Sequence, residues 1–113
     1  GHRWRMVVYL ETADLQADGT MKDMVVDFGV FKRAVRDLAE ELDHTFLVEE
    51  GSLAATTLAA LEAEGFSLTV LPFRMTAENL ARYFHDRLVE QNLPVACVEM
   101  YETPNNCALY RAR

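Results

Sequence analysis

The stretch 94-PVACVEMYETPNNCALYRAR-113 decides the fold. "PVACVEMYET" reads as a strand, "PNN" as a tight turn and "CALYRAR" as a terminal strand, and so short a connection returns the chain antiparallel. Further back, 66-FSLTVLPF-73 is a strand, because Thr69 and Val70 are β-branched and Pro72 ends the ladder. At the other end of the chain, 3-RWRMVVYLET-12 alternates Trp4, Met6, Val8 and Leu10 against Arg3, Arg5, Val7, Tyr9 and Glu11. That period of two belongs to a half-buried strand.

Three helices lie between these strands. Asp27 is placed to cap the first, where Phe28, Phe31, Val35, Leu38 and Leu42 step by three and four along one face. The Ala-rich run 52-SLAATTLAALEAE-64 is the second, with Gly65 set to stop it. Thr76 caps the third, whose Leu80, Phe84 and Leu88 share a face, and Glu78 sits in its first turn, where the helix dipole favours a carboxylate. The polar segment 13-ADLQADGTMKD-23 reads as a loop, followed by a short apolar run at 24–26. The order β-α-α-β-α-β-β predicts an α+β sandwich with helices on one face of an antiparallel sheet.

A chain of 113 residues, half of them apolar, suits a single domain with a real core. A formal charge of −7 and a pI near 4.8 argue against nucleic acid or an anionic membrane as the main partner. A locally basic pocket can still take a small anion. No apolar run is long enough to span a bilayer. Two thiols, Cys97 and Cys107, are too few for a disulfide framework and point to a reducing, cytoplasmic setting. Cys97, Cys107 and the methionines Met6, Met24, Met75 and Met100 read as packing residues, and His85, in mid-helix, reads as a surface group.

One pair stands out. In 40-EELDHTFL-47 an aspartate closes a helix, where the dipole opposes it by about 0.3–1 kcal/mol, and a histidine follows it directly. Either the helix stops at Leu42 and the pair is a turn, or Asp43 and His44 act together on protons.

The segments 24-MVVDFGVFKRAV-35, "LDH" at 42–44, 76-TAENLARY-83 and 101-YETPNNCALY-110, in this order, resemble the 6-pyruvoyl-tetrahydropterin synthase family. Within it, the bacterial 6-carboxytetrahydropterin synthases of queuosine biosynthesis look most similar. The resemblance covers nearly the whole chain, with 51–74 longer than in compact members. It implies the tunnelling fold, in which an antiparallel sheet backed by helices closes with its neighbours into a trimeric barrel, and two trimers commonly stack as a hexamer.

The resemblance also implies roles. Asp43 and His44 match a proton-transfer pair, a carboxylate fixing the tautomer of an imidazole poised near neutral pH. Glu102 matches the carboxylate that anchors a pterin by accepting two parallel N–H bonds. Thr76 falls where the family places a hydroxyl near the pterin, although a plain helix cap accounts for it equally. His2, in "GHRW", matches the second half of a His-Gly-His zinc motif. The other two zinc histidines and the proton-abstracting cysteine are expected upstream of Gly1, as is a strand beside 3–12. The implied activity is a zinc-dependent lyase acting on 7,8-dihydroneopterin triphosphate to give 6-carboxytetrahydropterin. The alternatives are a pyruvoyl-forming or side-chain-cleaving member, or a non-catalytic pterin-binding homologue.

Overall fold

The computed structural model describes residues 3–11 and 27–112. Strand β1 (Arg5–Leu10) leads to helix α1 (Phe28–Leu42), strand β2 (Phe46–Glu49), helix α2 (Ala55–Ala63), strand β3 (Leu68–Leu71), helix α3 (Ala77–Glu90), and strands β4 (Val95–Thr103) and β5 (Asn106–Arg111). The three-stranded sheet runs β1-β4-β5, antiparallel throughout, with Arg5 opposite Tyr101 and Tyr101 opposite Cys107. The turn after β4 is held by Thr103, whose Oγ1 accepts from the N–H groups of Asn105 and Asn106 at 3.3 and 3.2 Å. His2, the polar loop and the run at 24–26 lie outside the described residues.

Strand alternation divides the sheet cleanly. Val98 and Met100 of β4 are buried with Ala34 and Leu38 of α1 and Leu80, Ala81, Phe84 and Leu88 of α3, and Trp4, Met6, Val8 and Tyr110 pack against them. Arg5, Tyr9, Glu99, Tyr101 and Cys107 occupy the alternate positions and face away from the helices. Both long helices start as their sequences require: Asp27 Oδ1 accepts from Val30 N at 3.0 Å, and Thr76 Oγ1 from Asn79 N at 3.1 Å. The stripe on α1 effectively starts at Phe31, because Phe28 is 69 % exposed.

The sequence order needs one correction. Residues 46–49 form a strand, and β3 pairs with it in parallel, so a separate two-stranded sheet β2-β3 stands beside the antiparallel one. "FLVE" is too short to show a period, and a parallel pair joined by a helix leaves no local turn signature. This unit has its own buried residues, Val48 and Leu71, outside the main cluster, and no residue of α2 is buried. The molecule measures 56 × 26 × 24 Å with a radius of gyration of 16.9 Å, against about 13 Å for a compact domain of this length. A unit with a core of its own is one reason.

Two side chains reverse their expected places. His85 is buried, because the apolar face of α3 is wide enough to include it beside Ala81 and Leu88. Its ring meets Tyr110 edge-on at 4.9 Å, and its Nδ1 lies 3.0 Å from Asp86 Oδ1. Cys107 is exposed, because β5 turns Ala108 and Tyr110 to the core and so directs Cys107 outward. Cys97 is buried too, but outside the main core: it shares the outer face of β4 with Glu99 and Tyr101, opposite Tyr9 and Arg111.

Candidate active site

The sheet and α3 converge on a cleft. The register of β4 against β5 slips between Tyr101 and Thr103, which places Glu102 in a β-bulge. A bulge turns a side chain out of the regular alternation and recurs beside active sites for that reason. Glu102 lines a cleft of about 450 Å³ with Met75, Thr76, Ala77 and Glu78 at the start of α3, Asn105 in the following turn, and Asn106 and Cys107 at the start of β5. That volume falls within the roughly 300–1,000 Å³ of small-molecule sites. Thr76 and Glu102, far apart in sequence, therefore share one wall of space. The Thr76 hydroxyl accepts its capping bond from Asn79 N, which leaves its own proton to donate. Asn79 is tied in turn by Nδ2 to the carbonyl of Arg74 at 2.9 Å.

Asp43 and His44 lie elsewhere. Asp43 is the C-cap of α1, its N–H donating to Glu40 O at 3.3 Å, and His44 follows with φ of 54°. A non-glycine residue in the left-handed region is uncommon, and here it folds the histidine back onto its neighbour. Asp43 Oδ1 accepts from His44 N at 3.0 Å, and Asp43 Oδ2 lies 3.3 Å from His44 Nε2. The structure thus makes the Asp–His pair, with the two side chains 63 % and 93 % exposed. It does not bring that pair into the Glu102 cleft, whose lining includes neither residue. The turn reading and the pair reading hold at once.

Glu78, Asn105 and Asn106 join the cleft without having been singled out for chemistry in the sequence. Each had a complete local explanation, as a first-turn carboxylate or as turn residues, and nothing in their spacing reveals that α3 begins beside the β4–β5 turn. On the other face of the sheet, Tyr101 donates to Glu99 Oε2 at 2.7 Å, and Cys107 Sγ lies 3.6 Å from the same oxygen. The Tyr101 bond, and after it one from Tyr9, holds the Glu99 carboxyl below its ordinary value. The same bond pushes the Tyr101 phenol up to about 12. As for zinc, no three His, Cys, Asp or Glu side chains among the described residues gather as a metal-binding group, and His2 lies outside them.

An α+β domain with a carboxylate-bearing cleft at one end of an antiparallel sheet is thus defined, and comparison with known proteins identifies its kin. The model of the 6-pyruvoyl tetrahydropterin synthase family matches residues 1–113. The chain belongs to this family and is an enzyme of it. It is 32 % identical over 117 aligned positions to a 6-carboxy-5,6,7,8-tetrahydropterin synthase of Haemophilus influenzae, covering 98 % of this chain and 80 % of that protein. It is 33 % identical over 100 positions to the Aquifex aeolicus protein of the same name, covering 80 % and 62 %. Among solved structures, an uncharacterized protein from Wolinella succinogenes superposes with a TM-score of 0.68 at 21 % identity, over 99 % of this chain and 78 % of that one. A catalytic-residue mutant of Plasmodium vivax 6-pyruvoyltetrahydropterin synthase gives 0.71 at 18 %, over 98 % and 79 %. These two likenesses speak for the fold.

Proposed function

We propose that the chain is a lyase that converts 7,8-dihydroneopterin triphosphate to 6-carboxytetrahydropterin, for use in queuosine (7-deazapurine) biosynthesis. The observation that carries the reading is the cleft shared by Glu102 and Thr76. A pterin presents an amidine-like N–H edge, and Glu102 accepts two parallel hydrogen bonds from it while the Thr76 hydroxyl donates to a ring acceptor. The two relatives named for the 6-carboxy product, at 32 % and 33 % identity, favour that product over the pyruvoyl one.

His44 moves the protons. Its Nε2 is engaged by Asp43, so Nδ1 is the nitrogen left to exchange a proton with the pterin side chain, and the carboxylate stabilises the imidazolium that forms. Because the pair does not line the Glu102 cleft, one protomer's His44 serves a pterin held by another, within a homotrimer or homohexamer. That arrangement also explains an acid–base pair so open to solvent in a single chain. Zinc, which would polarise the side-chain oxygens, enters the proposal through His2 alone, and no step is routed through it. The setting is cytoplasmic; among the described residues no helix is long and apolar enough to cross a membrane.

The test is incubation of full-length protein with 7,8-dihydroneopterin triphosphate, the product identified by mass spectrometry and zinc measured in the same sample. A 6-carboxytetrahydropterin product is expected. Stoichiometric zinc without turnover would leave a non-catalytic pterin-binding homologue, and a pyruvoyl product would move the chain to the other branch. Light scattering at micromolar concentration should show a trimer or a multiple of one, and a monodisperse monomer would remove the shared-site mechanism.

A further inference from the structure

A second cleft, of about 470 Å³, opens where β1 begins and β4 ends, lined by Arg3, Trp4, Arg5, Tyr101, Thr103 and Pro104. Its composition runs against that of the chain. The protein carries a formal charge of −7, yet this cleft has two arginines and no carboxylate in its lining. Arg3 stands two residues before Arg5, the first residue of β1, and both line the cleft. The Arg5 guanidinium is held 4.3 Å over the Tyr101 ring, a cation–π contact that restrains it without using its N–H donors. Thr103 Oγ1 already accepts two backbone N–H bonds, so its hydroxyl proton is the group it can offer to a ligand. The carboxylate of Glu99, on the same face, feels the charge of Arg5 but is engaged first by the Tyr101 and Tyr9 hydroxyls.

We infer that this cleft binds an oligophosphate, with the guanidinium forks of Arg3 and Arg5 taking successive phosphoryl groups and the Thr103 hydroxyl a further oxygen. Two planar, permanently charged forks match phosphate oxygens in pairs, which a single lysine cannot do. The site lies across the sheet from Glu102, since Arg5 and Tyr101 face away from the helices. Within one protomer it is therefore a separate site, and its ligand is either free oligophosphate or the tail of a pterin substrate held by a neighbouring copy.

Calorimetry with inorganic tripolyphosphate on the full-length protein tests this, and needs neither pterin nor turnover. The double variant R3Q/R5Q should weaken binding by about tenfold or more, since each bond to a charged group lost is worth roughly that much. R36Q, which removes an exposed arginine on α1, changes the net charge equally for each substitution and should leave affinity as it is. No tripolyphosphate binding by the unmodified protein, or an R3Q/R5Q variant that melts normally and binds as tightly, overturns the site. So does a loss in R36Q as large as in a single cleft variant. The source is read from pterins. If R3Q/R5Q raises KM for dihydroneopterin triphosphate and leaves binding of the unphosphorylated pterin unchanged, the ligand is the substrate's tail. If KM is unchanged while tripolyphosphate binding falls, it is free oligophosphate.

Discussion

Glu102 and His44 are held in opposite ways. Glu102 sits in a bulge of a central strand, half-buried, with the start of a capped helix on one side and a bonded turn on the other. His44 sits in a left-handed turn at a helix end, 93 % exposed and positioned by a single neighbouring carboxylate. One region is built like a binding site and the other like a reagent presented outward. Under the proposed function, Glu102 recognises the pterin within one chain while His44 acts on it from another, and the largest effects of substitution should fall on the exposed side.

His44→Ala should therefore lower turnover by about 10²–10⁴, the usual share of a general acid–base group, with almost no change in melting temperature. His44→Asn is the sharper variant, because asparagine tolerates the left-handed backbone and preserves the turn. Asp43→Asn should cost less than either, since an amide still orients the ring but does not stabilise its cation. Steady-state kinetics and zinc content on these variants decide the matter. Retained activity in His44→Ala would break the contrast between the two regions, and loss of zinc would make His44 a metal ligand.

The next effect belongs to the other region. Glu102→Gln keeps the volume of the side chain but replaces a two-oxygen anion with an amide that offers one acceptor. Losing a charge-assisted bond should weaken pterin binding by about 1.5–3 kcal/mol, one to two orders of magnitude, with the fold intact. Calorimetry with an unreactive pterin measures it, and unchanged affinity would remove Glu102 from the site.

Much of this was legible in the chain itself, for identifiable reasons. β1, β4, β5, α1 and α3 are long enough to show their periods, and Asp27 and Thr76 mark the two capped starts by local chemistry alone. β2 was not legible, because four residues carry no period and its partner lies across a helix. His85 and Cys107 misled in opposite directions: a polar residue on a wide apolar stripe looks exposed, and a small thiol in a strand looks buried. The pairing of Asp43 with His44 follows from adjacency, whereas their distance from Glu102 depends on how α1 and β4 are placed, which no local pattern encodes.

Thr76 should give a smaller effect, and one that separates its two duties. Thr76→Ala removes an N-cap, costing about 1 kcal/mol and lowering the melting temperature by a few degrees. Thr76→Ser keeps the cap and the hydroxyl. If Thr76 also donates to the pterin, the alanine variant binds more weakly than its stability loss explains, while serine restores both; calorimetry beside thermal melts reads the two.

The smallest effect concerns the network behind Glu102, and its value lies in its pH dependence. Tyr101 and Tyr9 donate to Glu99, so the folded protein holds this carboxyl below its ordinary value of 4.5. A depressed carboxyl contributes stability that is present above the unfolded value and fades as pH falls through the lower folded one. The Tyr101 phenol is raised from 10.0 to about 12 by the same bond, so that contribution is full below 10.0 and is lost as pH rises towards 12. Glu99→Gln should therefore melt slightly below the unmodified protein across a plateau between these limits. On the acid side the two curves should begin to converge as pH falls below 4.5 and meet below the lower folded value. Because both groups are partly exposed, added salt should shrink the plateau as well. Thermal melts of the pair from neutral pH downwards provide the measurement. A difference that stays constant through the acid range would mean that Glu99 titrates alike folded and unfolded. The strand bearing Glu102 would then owe its order to the helix side alone, and the outer face would be free to serve a ligand or a second copy.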